Sequence, residues 1–223
     1  MIYLIIILVM VLSFIVQIRL NSKFSKYSRV ASPNGITGAE ISRMMLQRNG
    51  VNDVSVGSVA GKLTDHYDPT AKVINLSESV YGNASIAACA VAAHETGHAL
   101  QHAQGYGPLR LRSKLVPVVN FANNTIQWLL LVGILLLSIT PALLYAGIAL
   151  FALTVFFSFV TLPVEINASR RAVAWLESSG MVDSTTKPMA EDALKWAAYT
   201  YVIAAIGSLA TLLYYISIAG NRR

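Results

Sequence analysis

The sequence predicts a mainly α chain: four transmembrane helices with a small α+β domain at the membrane surface. Three observations carry that reading. Of the 223 residues, 55% are hydrophobic and 13% charged, against roughly 45–50% and 25% in soluble domains. Several apolar runs are each long enough to cross a bilayer. The first two runs are separated by a segment of ordinary composition, residues 21–115, which carries both helical and strand-like patterns. Disorder, collagen and coiled coil are excluded by the same composition. The lone Cys89 cannot form an internal disulfide, so nothing calls for an oxidising compartment. The formal charge of +6 comes from Lys and Arg beside the apolar runs. With no basic patch interleaved with aromatics, it reads as lipid-headgroup contact and orientation, with the bilayer as partner and no nucleic acid.

Residues 1–20 are expected to be an uncleaved anchor. From Ile2 to Ile18 only Ser13 and Gln17 are polar, and the positive charges Arg19, Lys23 and Lys26 follow the run, whereas a signal peptide carries them before it. Residues 21–115 form the α+β domain. Thr37-Gly38-Ala39-Glu40 is a capping box opening an amphipathic helix over 38–49, with Ile41, Met44, Met45 and Leu46 apolar and Gly50 closing it. Val54, Val56 and Val59, then Val73, Ile74 and Leu76, punctuated by Gly57, Gly61 and Asp68-Pro69, predict two or three short strands. Ser85 caps an alanine-rich helix over 85–104. Residues 116–164 form a transmembrane hairpin, with spans over 120–138 and 142–162 broken at Pro141. Residues 165–195 are a connection with a helix of its own, and 196–223 are the last span and a basic tail. Four spans put 21–115 and 165–195 on one face of the membrane, where distant pieces of chain can share a site.

His94-Glu95-Thr96-Gly97-His98 is an HExxH pattern, which places two imidazoles one helical turn apart, able to bind one zinc ion, with the intervening Glu95 as a general base. The flanking Val91, Ala92, Thr96, Gly97, Ala99 and Leu100 are uncharged, as a buried metal helix requires. A catalytic zinc takes a third protein ligand and keeps one position open. His102 lies two turns from His94, roughly 12 Å along a straight helix, and cannot share the ion. It is expected to support the site or to end the helix. Glu165 follows the third span on the same face as the HExxH helix, and an acid at the edge of hydrocarbon is costly without a partner, so it is the better third ligand. Cys89 sits about 140° around the helix from His94 and reads as a small buried residue.

Together, His94-Glu95-x-Gly97-His98-Ala99-x-Gln101-His102, Asp65-His66-Tyr67-Asp68-Pro69 and Glu165-x-Asn167-Ala168-Ser169-Arg170-Arg171 resemble the YugP-type family of neutral zinc metallopeptidases of bacterial membranes. The resemblance covers nearly the whole chain. It implies a zincin-like fold of the gluzincin kind, with one Zn(2+) per chain held by His94, His98 and Glu165. Glu95 then serves as the base in peptide-bond hydrolysis. More remotely the chain is similar to the CAAX-prenyl and heat-shock membrane endopeptidases, whose third ligand opens a Glu-x-x-Ala-Asp pattern. Ser169 stands where that aspartate would be, so Ser169 or Asn167 is expected to orient an imidazole. His66, Tyr67 and Arg170 are the candidates for stabilising the oxyanion.

Two rival classes are weighed. A site-two intramembrane protease takes its third ligand from an Asn-Pro-Asp-Gly or Leu-Asp-Gly segment, and the chain has neither. A non-catalytic metal-binding scaffold or chaperone has no use for Glu95. Arg19, Lys23, Lys26, Arg29, Arg110, Arg112, Lys114, Arg170, Arg171, Lys187 and Lys195 all flank the face that carries the site, against Arg222 and Arg223 on the other. The positive-inside rule therefore predicts a multi-pass protein of the cell membrane with its catalytic domain on the cytoplasmic face. The expected substrates are membrane-associated or misfolded proteins near the bilayer surface.

Overall fold

The computed structural model describes residues 2–220. The chain divides into two compact units. One comprises Val16–Leu109 with Val164–Tyr199; the other holds the apolar parts of the long helices, including Arg110–Pro163.

The first unit is built around a helix that is buried over most of its length. The end of α1 (Ile2–Tyr27) enters it, contributing Phe24 and Tyr27 to the core. Helix α2 (Gly38–Arg48) starts with the expected capping box: Thr37 Oγ1 accepts from the Glu40 N–H, and the Glu40 carboxylate accepts from the Thr37 N–H at 2.8 Å. Three strands follow, β1 (Ser55–Val59), β2 (His66–Asp68) and β3 (Val73–Ser77), in the order β1-β3-β2. β1 runs parallel to β3 with Ser55 opposite Val73, and β2 antiparallel with His66 opposite Asn75. Ile74 and Leu76 point to one face of β3 and are fully buried, which is what period-two patterning delivers. The Asp65 carboxylate accepts from the Ser77 N–H at 2.7 Å and fastens the end of β3. After the short α3 (Glu78–Tyr81), α4 (Ile86–Ala103) begins at Ser85, whose Oγ accepts from the Ala88 N–H. Its alanines from Ala87 to Ala99 are buried around the helix, the signature of a helix that crosses a core.

Two long helices return to this unit. The sequence suggests a span ending near residue 162 and a separate helix beyond it. In the structure α6 (Ala142–Ser178) passes through Pro163 unbroken. A proline inside a helix removes one backbone hydrogen bond. Here Val164, Ala168, Ala172 and Leu176, at four-residue intervals beyond it, are all fully buried, and that packed stripe carries the helix past the proline. The connection is short, and α7 (Lys187–Gly220) starts well before the expected Trp196. Tyr27 donates to Asp192 at 2.6 Å and Lys23 pairs with the same carboxylate at 2.7 Å, tying the end of α1 to the start of α7.

In the second unit, α5 (Gly107–Leu135) begins 13 residues before the expected span at 120, with Pro108 in its first turn. It turns into α6 around Pro141 as a hairpin. A Cβ at Gly133 would lie 2.6 Å from the Leu144 backbone nitrogen, so glycine is what allows the two helices to close. Ala122, Ile126, Leu130 and Leu144 pack inside, and Phe151 meets Tyr215 edge-to-face. The outward side chains, among them Leu8, Phe14, Phe121, Trp128 and Phe156, are apolar and exposed. Among the described residues, four helices, from α1, α5, α6 and α7, are long and apolar enough to cross a membrane. Arg222 and Arg223 lie outside the described residues.

Within the first unit, α4 and α6 come close at Gly97, where a Cβ would fall 2.9 Å from the Ala168 carbonyl oxygen. Gly97→Ala is expected to force that backbone contact apart and to lower stability by about 1–3 kcal/mol, as overpacking does. Thermal unfolding of the detergent-purified protein checks it; an unchanged midpoint would refute the close approach.

Candidate metal centre

The α4–α6 contact decides which side chains meet. One turn apart on α4, His94 and His98 turn their Nε2 atoms toward α6. There Glu165, one turn before Ser169, brings its Oε2 to 3.3 Å from His94 Nε2 and 3.4 Å from His98 Nε2. The three ligand atoms all lie within 4.8 Å of one another, and all three residues are largely buried. A tetrahedral ion with bonds of about 2.0–2.1 Å needs ligand atoms about 3.3–3.4 Å apart. The two nitrogen-to-oxygen spacings meet that requirement, and two imidazoles with one carboxylate are a donor set that zinc accepts, so the residues fit the metal.

The remaining ring nitrogens are held from behind. Ser169 Oγ lies 3.1 Å from His94 Nδ1, and Gln101 Oε1 lies 3.1 Å from His98 Nδ1. Burial works against a charged His98, yet its hydrogen bond to Glu165 and the charges of Glu95 and Glu165 outweigh burial and raise its pKa. Glu95 is a largely buried residue close enough to His98 for its charge to act on that ring, and among the described residues no hydrogen-bond or ion-pair partner holds its carboxylate.

The other sequence candidates are dispersed. His102 is outside the trio, its Nδ1 2.8 Å from the Tyr67 hydroxyl. Tyr67, whose pKa is raised by burial and by the nearby Asp53 and Asp68, lines a cavity of about 270 Å³ with His102, Ala99, Val54, Asp53 and Lys72. His66 is exposed and uses both ring nitrogens locally, with the Thr64 carbonyl and Asn75. Arg170 is exposed. The adjacent Arg171 is the arginine that turns inward, its Nε donating to Asn167 Oδ1 at 2.7 Å. Burial pushes the Cys89 thiol up to about 11, in keeping with an inert core residue. Gln101 and Arg171 escaped the sequence reading. The available signal was Gln101 standing three residues after His98 on an otherwise apolar helix, where i and i+3 side chains meet.

Residues 2–220 match the family described as "Putative neutral zinc metallopeptidase". The chain is 49% identical over 212 residues, covering 95% of this chain and 93% of its relative, to "Putative membrane protease YugP" of Bacillus subtilis (strain 168). No solved structure matches. A match over nearly the whole length, together with near half-identity to that relative, places this chain in the neutral zinc metallopeptidase family.

Proposed function

We propose that this protein is a membrane-embedded, zinc-dependent endopeptidase of the gluzincin kind. The observation that carries the reading is the convergence of His94 Nε2 and His98 Nε2 on Glu165 at zinc-like spacing, with the unpartnered Glu95 carboxylate on the same helix. His94, His98 and Glu165 hold one Zn(2+) per chain. When bound, the ion supplies Lewis acidity and lowers the pKa of water there toward about 7.

The chain's own residues do the rest. Glu95, the acid of the HExxH motif, takes a proton at its carboxylate and returns it to the leaving amine. Of the three oxyanion candidates Tyr67 is favoured because it lines the cavity against α4, whereas His66 lines no part of it and Arg170 is exposed. His102 holds the Tyr67 hydroxyl. The cavity beside them, one turn along α4 from His98, is where a substrate side chain can rest.

Four apolar helices support the bilayer as partner, and the excess of Lys and Arg around residues 21–115 and 165–195 supports a cytoplasmic catalytic face. Glu165 continues the helix that carries the third span, which favours membrane-associated or misfolded proteins as substrates.

Glu95→Gln is expected to keep zinc and to lower cleavage of an unfolded protein by at least about 10²-fold, the scale of a lost general base. Cleavage at the wild-type rate would remove Glu95 from the mechanism. Glu165→Ala is expected to lose metal as well as activity, and His102→Ala to retain metal. Zinc analysis of the two proteins decides the ligand set, and the reverse pattern would overturn it. A reporter active only in the cytoplasm, fused to the C-terminus, is expected to be silent, while one active only outside is expected to work. The opposite result would invert the domain.

A further inference from the structure

Resting on the zinc reading above, we infer that Gln101 is a positioning residue for the metal site. It fixes His98 in the tautomer that presents Nε2, and its own orientation is set by a hydrogen-bond chain that begins at Arg171. The argument turns on which groups can only donate and which can only accept.

The guanidinium of Arg171 has only N–H groups, and its Nε donates to Asn167 at 2.7 Å, so the atom that Asn167 presents there must be the amide oxygen. That same oxygen lies 2.9 Å from Gln101, which must therefore offer its NH₂ group. The Val164 carbonyl, an acceptor only, takes the second N–H of that group at 2.8 Å. With both donors used, the Gln101 oxygen is left facing His98 Nδ1 at 3.1 Å. An oxygen facing Nδ1 requires a proton on Nδ1. When the ring gives up its second proton, the lone pair is therefore left on Nε2, the atom aimed at Glu165, and not on Nδ1. Turning the amide over would set its oxygen against two other oxygens in a fully buried position, which is costly. Arg171 is itself braced by Gln104, through Nη1.

His94 is held differently. The hydroxyl of Ser169 can donate or accept, so it steadies the ring without selecting a tautomer. The two histidines thus differ. His98 keeps its proton on Nδ1 and so can only release the one on Nε2, whereas His94 must settle into the binding tautomer. The chain uses neutral groups for both, where metal-binding histidines are often backed by carboxylates.

The test measures zinc affinity by chelator competition on the full-length protein in detergent, with circular dichroism of the metal-free form as the check on folding. Wild type is expected to bind one zinc ion. Gln101→Leu, close in volume but unable to hydrogen-bond, is expected to bind zinc about 10–100-fold more weakly. Ser169→Ala is expected to lose less. The discriminating pair is at Asn167: Asn167→Asp still offers an oxygen to both Arg171 and Gln101 and is expected to hold zinc within about threefold of wild type, while Asn167→Leu is expected to follow Gln101→Leu. A role in packing alone would leave Gln101→Leu, close in volume, near the wild-type affinity. Equal zinc affinity in wild type and Gln101→Leu, or Asn167→Asp falling with Asn167→Leu, would overturn the inference and leave the zinc site standing. If Gln101→Leu fails to fold, the Asn167 pair decides by itself. A wild-type protein that binds no zinc would instead remove the proposed function, and this inference with it.

Discussion

The close approach of α4 to α6 at Gly97 and Ala168 is the contact on which the candidate site depends. Had any side chain stood at 97, the two backbones would be held apart. Glu165 Oε2, now 3.3 and 3.4 Å from the two Nε2 atoms, would no longer reach them. The small residues near the contact follow from the same requirement, since only alanine-sized side chains let a helix run through a core in contact on all sides. A single glycine thereby connects a packing rule to a coordination distance.

Polar atoms brought into so dense an interior have to be accounted for one by one. Glu165 faces two imidazoles, each imidazole has a second partner behind it, and Gln101 makes three hydrogen bonds while fully buried. Each such group left unsatisfied would cost about 1–3 kcal/mol or more. Glu95 stands apart: among the described residues no hydrogen bond holds its carboxylate, which is what the proposed general base requires.

The long helices pose the reverse problem. Their outward residues are large, apolar and exposed, so their stabilising environment is hydrocarbon rather than a protein core. At 37 residues, α6 is about 56 Å long, well beyond the roughly 30 Å of a bilayer's interior. The excess is the stretch that carries Glu165, Asn167, Ser169 and Arg171. One continuous helix therefore serves as an apolar span and as a wall of the candidate site.

The sequence alone determined whatever is encoded by local pattern. The capping box at Thr37 and Glu40, the cap at Ser85, the short strands and the four apolar helices all depend on neighbours a few residues away, and their order in the chain suffices to find them. The trio of His94, His98 and Glu165 was within reach because HExxH is periodic and an acid beside an apolar span invites explanation. Tertiary structure decided the rest. Pro163 reads as an end in sequence, yet a stripe of buried contacts with partners far away in the chain holds the helix together. Whether Arg170 or Arg171 turns inward rests on about 100° of helix phase relative to a surface that the local pattern does not encode. The service of Gln101 to His98 exists only because Val164 and Asn167, more than 60 residues later, present two acceptors to its amide. Hydrogen-bond direction across such a distance is a property of the assembled interior, and no local spacing in the chain can specify it.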